Sequence, residues 1–169
     1  MTLAGVGAVA CAAVASVTLA HRHQSLIRIN LTPSEPPGVY LRTPDAPIKV
    51  GSLVAFLAPP RAFPYADRHA GYLHQTPILK AVAAAGGDKV CTGGGVLIIN
   101  GVRRAAILAR DSRGIALPHW TACRRLAVGE LFVFSNRVVN SFDSRYYGPV
   151  SMARAQVYRP FATVDGFWP

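Results

Sequence analysis

The chain has 169 residues, which suits one domain with an attached segment and is long enough to bury a core without disulfides. Its 18 basic and 8 acidic side chains give a net charge of +10, but the basic residues form no helical stripe, zinc-finger pattern or helix-turn-helix pattern. This argues against a nucleic-acid partner, so we expect the basic side chains to interact with anionic lipid headgroups.

An uncharged, apolar segment occupies residues 2–20. A membrane-spanning helix needs about 20 such residues, so residues 1–22 are predicted to be a membrane anchor and residues 23–169 one domain. A cleavable secretory signal is the alternative, although the apolar run is long for a signal core and no basic residue precedes it. Because Arg22 and Arg28 follow the helix, the positive-inside rule alone would place the domain in the cytoplasm.

The cysteines indicate the opposite side of the membrane. Cys91 and Cys123 lie in the polar domain, whereas Cys11 lies in the apolar segment. Two cysteines outside the membrane suit one disulfide in an oxidising compartment. Two buried free thiols explain the same residues equally well, so the pattern alone leaves the pairing open.

The rest of the chain predicts short strands joined by turns, because glycine and proline are frequent and amphipathic helices are scarce. Residues 26–31 alternate apolar and polar, as a half-buried strand does, and then enter a proline-rich turn at residues 32–38. Asn100-Gly101 is a strong hairpin signal. The fold is therefore predicted to be mainly β, a folded-over sheet in one domain. Further strands are predicted at residues 49–57, 78–84, 96–99, 130–135 and 153–158.

No histidine or cysteine pair has the spacing of a zinc site, so we expect neither a metal nor a cofactor. Ser34 is a candidate for chemistry because it lies in a turn framed by Pro33, Pro36 and Pro37. The prolines fix φ and present the serine outward with little conformational freedom. A serine in such a turn is by itself more often a turn former.

Two further segments carry reactive or charged side chains. Lys80 interrupts an apolar run, where a lysine is rarely buried unless it has a partner or a task. An edge lysine that points to solvent is the alternative. Ser141, Asp143 and Arg145 lie within five residues of one another, which a structural Asp–Arg pair in a turn would also explain.

Together, and in this order, the three segments resemble the type I signal peptidase superfamily of serine–lysine peptidases. The resemblance is closest to its TraF-type branch, the conjugative-transfer peptidases that process pilin precursors. Residues 30–40 match that branch's Asn-x-Thr/Ser-x-Ser-x-Pro-x-Gly-x-Tyr block, residues 79–82 its lysine block, and residues 141–148 its Ser-x-Asp-Ser-Arg-Tyr-x-Gly block. Ala81 replaces a common arginine, and the Gly-Asp-Asn run of housekeeping signal peptidases is absent, but neither change removes a residue that the chemistry needs.

The resemblance implies a signal-peptidase/LexA-like folded β-sheet body preceded by one transmembrane helix. It implies a serine endopeptidase that removes a signal or terminal peptide from exported precursors, above all a conjugative pilin, with cyclisation as a second outcome. The implied partners are the precursor polypeptide and membrane lipid. The implied location is the bacterial inner membrane, crossed once, with the domain in the periplasm.

The resemblance also implies a role for individual residues. Ser34 is the implied nucleophile and Lys80 its general base, with Asp143 as a further catalytic residue. The Ser34 N–H and the Thr32 hydroxyl are the implied oxyanion donors. The remaining implied features are a Ser141 hydroxyl that orients Lys80, an Arg145 that braces Asp143, and a disulfide between Cys91 and Cys123.

The base must be neutral to accept a proton, and the ordinary lysine pKa is about 10.4. Burial can lower that pKa by up to about 3–5 units, and we expect Ile78, Leu79 and Val82 to supply the apolar surroundings. A carboxylate at Asp143 would raise the lysine pKa, so we expect Arg145 to pair with it.

Three other functions share parts of this pattern. A general type I signal peptidase has the same chemistry and a different substrate. A non-catalytic envelope subunit of a conjugation apparatus is the non-enzymatic alternative. A LexA-like self-cleaving repressor would need a DNA-binding domain, for which the apolar N-terminus leaves no room.

Overall fold

The computed structural model describes residues 25–164, which form two antiparallel β-sheets joined by turns and short helices. The prediction of a mainly β fold is therefore confirmed. The predicted membrane anchor lies outside the described residues. Within residues 25–164, no helix has the length and apolar character needed to cross a membrane.

The regular elements are short. The strands are β1 (Ile27–Asn30), β2 (Gly38–Arg42), β3 (Leu53–Phe56), β4 (Ile78–Ala85), β5 (Lys89–Cys91), β6 (Val96–Ile99), β7 (Val102–Ala106), β8 (Cys123–Arg125), β9 (Glu130–Val133), β10 (Val150–Ser151) and β11 (Gln156–Thr163). The α-helices are α1 (Tyr65–His69) and α2 (Ser144–Tyr147), and the 3-10 turns are Pro60–Ala62, Gly71–His74, Gly93–Gly95 and Met152–Arg154.

The larger sheet has seven strands in the order β1-β2-β11-β3-β4-β9-β10. Strand β11 lies between β2 and β3, so the end of the described chain pairs with its beginning. Lys80 on β4 pairs with Val54 on β3. Side chains of paired residues share a face of the sheet, so Lys80 lies on the face that carries Val54. That face is the main hydrophobic core, formed among others by Val54, Phe56, Ile78, Val82, Leu131 and Val133.

The smaller sheet has four strands in the order β7-β6-β5-β8 and packs against the end of the larger one. Val90 and Leu97 of the small sheet form a second core with Phe132 of β9. The β6–β7 turn is the predicted Asn100-Gly101 hairpin, and both residues have positive φ, 51° and 81°. A two-residue type I′ turn requires positive φ at both positions, which asparagine and glycine tolerate best.

The disulfide that the resemblance implied is present in the structure. Cys91 on β5 and Cys123 on β8 lie directly opposite each other in the antiparallel pair and are joined through their sulfur atoms. The bond ties the edge strand of the small sheet to its interior.

Several strand boundaries differ from the predictions. The strand predicted at 49–57 forms only over Leu53–Phe56, because residues 50 and 51 belong to a turn. The last strand starts at Gln156, after a 3-10 turn, and continues to Thr163. The sequence pattern also missed β2, β5, β8 and β10, which have two to five residues each. The two or three residues of β5, β8 and β10 are too few to show an alternation, and β2 has the sequence Gly-Val-Tyr-Leu-Arg, which does not alternate.

Replacing Gly38 by alanine is expected to lower the free energy of unfolding by about 1–3 kcal/mol. Gly38 opens β2 with φ of +153°, and an added Cβ would lie 2.2 Å from the carbonyl oxygen of Ala162 on β11. Equal urea-melting midpoints for Gly38→Ala and wild type would contradict this. Gly71→Ala is the matched control, because nothing lies within 4 Å of the added carbon.

Candidate active site

Ser34 and Lys80 are 46 residues apart in the chain and meet in the fold. Ser34 lies in the turn between β1 and β2, and Lys80 lies in β4. The Nζ atom of Lys80 donates a hydrogen bond to Oγ of Ser34. Both residues are buried, with exposures of 4% for Lys80 and 7% for Ser34. An amine held on a hydroxyl in this way can take the hydroxyl proton once the amine is neutral.

Strand β4 runs through the interior of the large sheet, between β3 and β9, so Lys80 is not a solvent-facing edge lysine. Strand alternation places Ile78 and Val82 on its side of the sheet, and both belong to the main core, as expected. The expectation for Leu79 is wrong. Its side chain packs on the other face, in a cluster with Tyr40, Ala55 and Tyr158.

Burial lowers the pKa of Lys80 from its ordinary value, because the core offers little solvation to an ammonium group. The carboxylates of Asp143 and Glu35 act in the opposite direction and raise the pKa, and the guanidinium of Arg145 lowers it. Burial is the largest of these effects, so the neutral amine is favoured relative to an exposed lysine.

Asn30 holds the turn that carries Ser34. Its Nδ2 donates to the carbonyl oxygens of Thr32, Glu35 and Pro36 at 2.9, 2.9 and 3.1 Å. Its Oδ1 accepts from the Thr32 backbone N–H at 3.2 Å and from the Thr32 hydroxyl at 2.8 Å. One buried amide thus satisfies five backbone and side-chain groups of the turn. The sequence analysis assigned Asn30 no role, although the residue opens the serine block.

The two implied oxyanion donors differ in whether they already donate a hydrogen bond within the protein. The backbone N–H of Ser34 donates no hydrogen bond within the described residues, so it is available to a ligand. The Thr32 hydroxyl lies 3.5 Å from Ser34 Oγ and donates to Asn30. For Thr32 to donate to a substrate oxygen, its hydroxyl must rotate away from Asn30.

Asp143 and Arg145 form the expected ion pair, fully inside the protein. Arg145 donates from Nε to Asp143 Oδ1 at 2.8 Å and from Nη2 to Oδ2 at 2.9 Å, and both side chains are at most 2% exposed. The guanidinium also donates to the carbonyl oxygens of Ala106 and Ser141, each at 2.9 Å. Asp143 makes no hydrogen bond to Ser34 or Lys80 among the described residues. Asp143 contacts Arg145 and the Ser135 backbone, and its charge raises the pKa of Lys80.

Ser135, just after β9, connects the serine turn with the Asp143–Arg145 ion pair. Its hydroxyl donates to the carbonyl oxygen of Ser34, and its backbone N–H donates to Oδ2 of Asp143 at 3.4 Å. In the sequence, Ser135 is the last residue of a predicted strand and was not a candidate for the site. The signal available in the sequence was a hydroxyl side chain directly after an apolar run.

Ser141 does not make the contact that the resemblance implied. Its hydroxyl is buried and has no hydrogen-bond partner among residues 25–164, while Lys80 donates to Ser34 instead. The side chain nevertheless lines the same cavity as Ser34 and Lys80. This cavity has a volume of about 500 Å³ and runs between β1, β4 and residues 138–142.

Glu35, the residue after Ser34, is a buried carboxyl group that the sequence analysis also missed. It is 6% exposed, and its Oε1 accepts a hydrogen bond from the backbone N–H of Ala81 at 3.0 Å. Burial raises the pKa of Glu35. The side chain thus ties the serine turn to the residue next to Lys80 and places a second titratable group beside the amine.

Comparisons with known proteins identify relatives along nearly the whole chain. A family profile described as "Signal peptidase, peptidase S26" matches residues 1–157. The plasmid transfer protein TraF of Escherichia coli is 32% identical over 148 residues, which cover 80% of this chain and 82% of that protein. The conjugal transfer protein TraF of Agrobacterium tumefaciens (strain 15955) is 34% identical over 142 residues, which cover 73% and 74%.

Among solved structures, a signal peptidase I from Enterococcus faecalis V583 overlaps 67% of this chain and 96% of its own. Its sequence identity is 20% and the TM-score is 0.37, a likeness too distant to bear on function.

Replacing Glu35 by glutamine is expected to lower the pKa of Lys80 further. Glutamine can keep the hydrogen bond from Ala81 through its amide oxygen, but it removes the negative charge that raises the lysine pKa. The measurement is the pH titration of the Lys80 side-chain carbon signal by NMR in carbon-13-labelled protein, assigned with Lys80→Arg.

Glu130→Gln is the matched control for the loss of one carboxylate, because Glu130 pairs with Arg124 at the surface. An unchanged or raised Lys80 pKa in Glu35→Gln would show that Glu35 does not act on the amine through its charge.

Proposed function

The chain belongs to the peptidase S26 family of signal peptidases, and we propose that it is a serine endopeptidase in which Lys80 is the base for Ser34. The observation that carries this proposal is the buried hydrogen bond from Lys80 Nζ to Ser34 Oγ at the wall of a cavity open to a ligand. A serine at the end of a hydrogen bond to a desolvated amine has the arrangement that nucleophilic catalysis needs.

In the proposed reaction, Ser34 Oγ attacks the carbonyl carbon of a substrate peptide bond as neutral Lys80 takes the hydroxyl proton. The carbonyl oxygen gains negative charge in the tetrahedral intermediate and accepts a hydrogen bond from the Ser34 N–H. When the intermediate breaks down, the Lys80 ammonium gives its proton to the leaving amine. Water then attacks the acyl-enzyme ester with Lys80 again as base, and releases Ser34.

The buried charges around Lys80 set the pH range of this reaction. Asp143 stabilises the ammonium form, and its ion-pair partner Arg145 acts on the lysine pKa in the opposite direction, with the smaller effect of the two. Burial keeps the net shift of the pKa downward. Activity should therefore rise as the pH increases through the lowered pKa of Lys80, since only the neutral amine accepts the serine proton.

The proposed substrate is an exported precursor of a conjugation apparatus, most specifically a pilin. The relatives named above are plasmid and conjugal transfer proteins, which supports a role in the same process. The disulfide supports a domain in an oxidising compartment, and hence the periplasmic side of a bacterial inner membrane. If an amine of the substrate replaces water in the second step, the same acyl-enzyme yields a cyclic product.

A general signal peptidase is the second candidate, because the family profile carries that description and the chemistry is the same. A non-catalytic envelope subunit is less well supported, since the serine, the lysine and the buried Asp143–Arg145 pair are all in place.

Ser34→Ala and Lys80→Met are each expected to reduce peptide cleavage by about a thousandfold or more, because each removes one partner of the proton transfer. Methionine fills a volume similar to that of the lysine stem, so the fold should persist. The measurement is cleavage rate together with the circular dichroism melting curve. A folded Lys80→Met variant with normal turnover would refute the role of the lysine.

The substrate proposal is tested by co-expressing the full chain, or its Ser34→Ala variant, with a conjugative pilin precursor and, separately, with a general secretory precursor. Intact-mass spectrometry of the products reports cleavage, its position and any loss of water on cyclisation. We expect a shortened pilin with the wild-type chain and an intact precursor with Ser34→Ala. Cleavage of the secretory precursor alone would instead support a general signal peptidase.

A further inference from the structure

The walls of the cavity beside Ser34 contain basic but no acidic side chains among the described residues. Its charged lining residues are Arg28 and Lys80. Lys80 is buried with a lowered pKa and serves the reaction in its neutral form. Arg28 is therefore the permanent charge of this cavity, since a guanidinium stays protonated across the accessible pH range.

Arg28 is held in place but has no ionic partner within the part of the chain that the structure describes. It is partly buried on β1, and its guanidinium carbon lies 5.4 Å from the ring centroid of Tyr158. The Tyr158 ring is itself buried and donates its hydroxyl proton to the carbonyl oxygen of Ser25. The Nε atom of Arg28 is shielded from solvent without a hydrogen-bond partner, and no carboxylate in the described part of the chain pairs with the side chain.

A partly desolvated guanidinium is destabilising unless a partner compensates it. The ligand that matches its planar fork is a carboxylate, which accepts two parallel N–H donors. Arg28 lies on β1, two residues before Asn30, and Asn30 holds the serine turn. At about 3.3 Å per residue of strand, Arg28 lies about 7 Å from Asn30. Arg28 and Ser34 line the same cavity, so a peptide that occupies this cavity can contact both residues.

We propose that Arg28 is a specificity-determining residue that binds a carboxylate of the substrate peptide, a few residues from the bond that Ser34 attacks. The carboxylate belongs either to an Asp or Glu side chain or to the C-terminus of the peptide. The inference rests on the proposed function in one respect, namely that the cavity holds a peptide. It extends that function from cleavage to the choice of an acidic substrate.

The test uses the full-length chain in detergent and internally quenched peptides in matched pairs. One series carries Glu or Gln at each position in turn, with an amidated C-terminus. A second series carries no acidic side chain and ends in a free acid or an amide. Binding to the Ser34→Ala variant is measured by fluorescence anisotropy, and cleavage by the wild type is measured as kcat/KM.

We expect Ser34→Ala to bind one acidic member about tenfold more tightly than its neutral partner, as a charge-assisted bidentate contact provides. Adding Arg28→Gln to this variant should bring the ratio of the two dissociation constants close to one. Adding Arg28→Lys should retain part of the preference for the acidic peptide. The series in which the preference occurs identifies the source of the carboxylate. Arg103→Gln is the control, since it removes the same charge from an exposed position on β7.

A ratio that Arg28→Gln leaves unchanged, or the absence of any carboxylate preference in both series, would overturn the proposal. Failure of the proposed function gives a different result. In that case the wild type cleaves no peptide, while Ser34→Ala still prefers the acidic member and loses the preference with Arg28→Gln.

Discussion

The exclusion of water from a lysine amine that contacts a serine hydroxyl is the constraint on which the rest of this structure depends. The hydrogen bond from Lys80 to Ser34 exists only because a central strand and a proline-framed turn are brought together from distant parts of the chain. An ammonium group in such a place is destabilising, and that same penalty lowers the pKa of the amine. The instability and the reactivity of the site therefore have one physical origin.

The surrounding polar groups follow from that constraint. Each buried group near the lysine must find a partner in the protein, because water is excluded. Asn30 satisfies the carbonyl oxygens of the serine turn, Ser135 joins that turn to Asp143, and Arg145 neutralises Asp143. Together they form a connected network in which the turn cannot move without breaking buried hydrogen bonds. Such a network fixes the position of Ser34 relative to the amine more firmly than packing of the turn alone would.

The electrostatic balance of the site is also a property of the network. Glu35 and Asp143 both raise the pKa of Lys80, and Asp143 forms an ion pair with Arg145. Glu35 has instead a raised pKa of its own, and it holds the backbone of β4 next to the lysine. The Glu35 side chain thus both holds the backbone of β4 and contributes a charge that acts on Lys80. The cavity beyond is apolar at Ile78 and Phe142 and positively charged at Arg28, which matches the proposed substrate, a peptide with apolar and acidic groups.

The sequence by itself determined the candidate residues for the proposed chemistry and the general nature of the fold. The serine block, the lysine in an apolar strand, the Asp143–Arg145 segment and the Asn100-Gly101 turn are local patterns. The structure has the serine in a turn, the lysine in a strand and Asn100-Gly101 in a hairpin turn, as expected, whereas Asp143 caps a short helix at Ser144–Tyr147. Only the tertiary structure decided which of these groups touch. It brought the Lys80 amine into contact with the Ser34 hydroxyl and not with that of Ser141. It placed the Leu79 side chain on the opposite face of the sheet, and it added Asn30, Glu35 and Ser135 to the site. Local pattern cannot show such contacts, because hydrogen bonds and desolvation depend on which distant strands pair and on how much water their packing excludes.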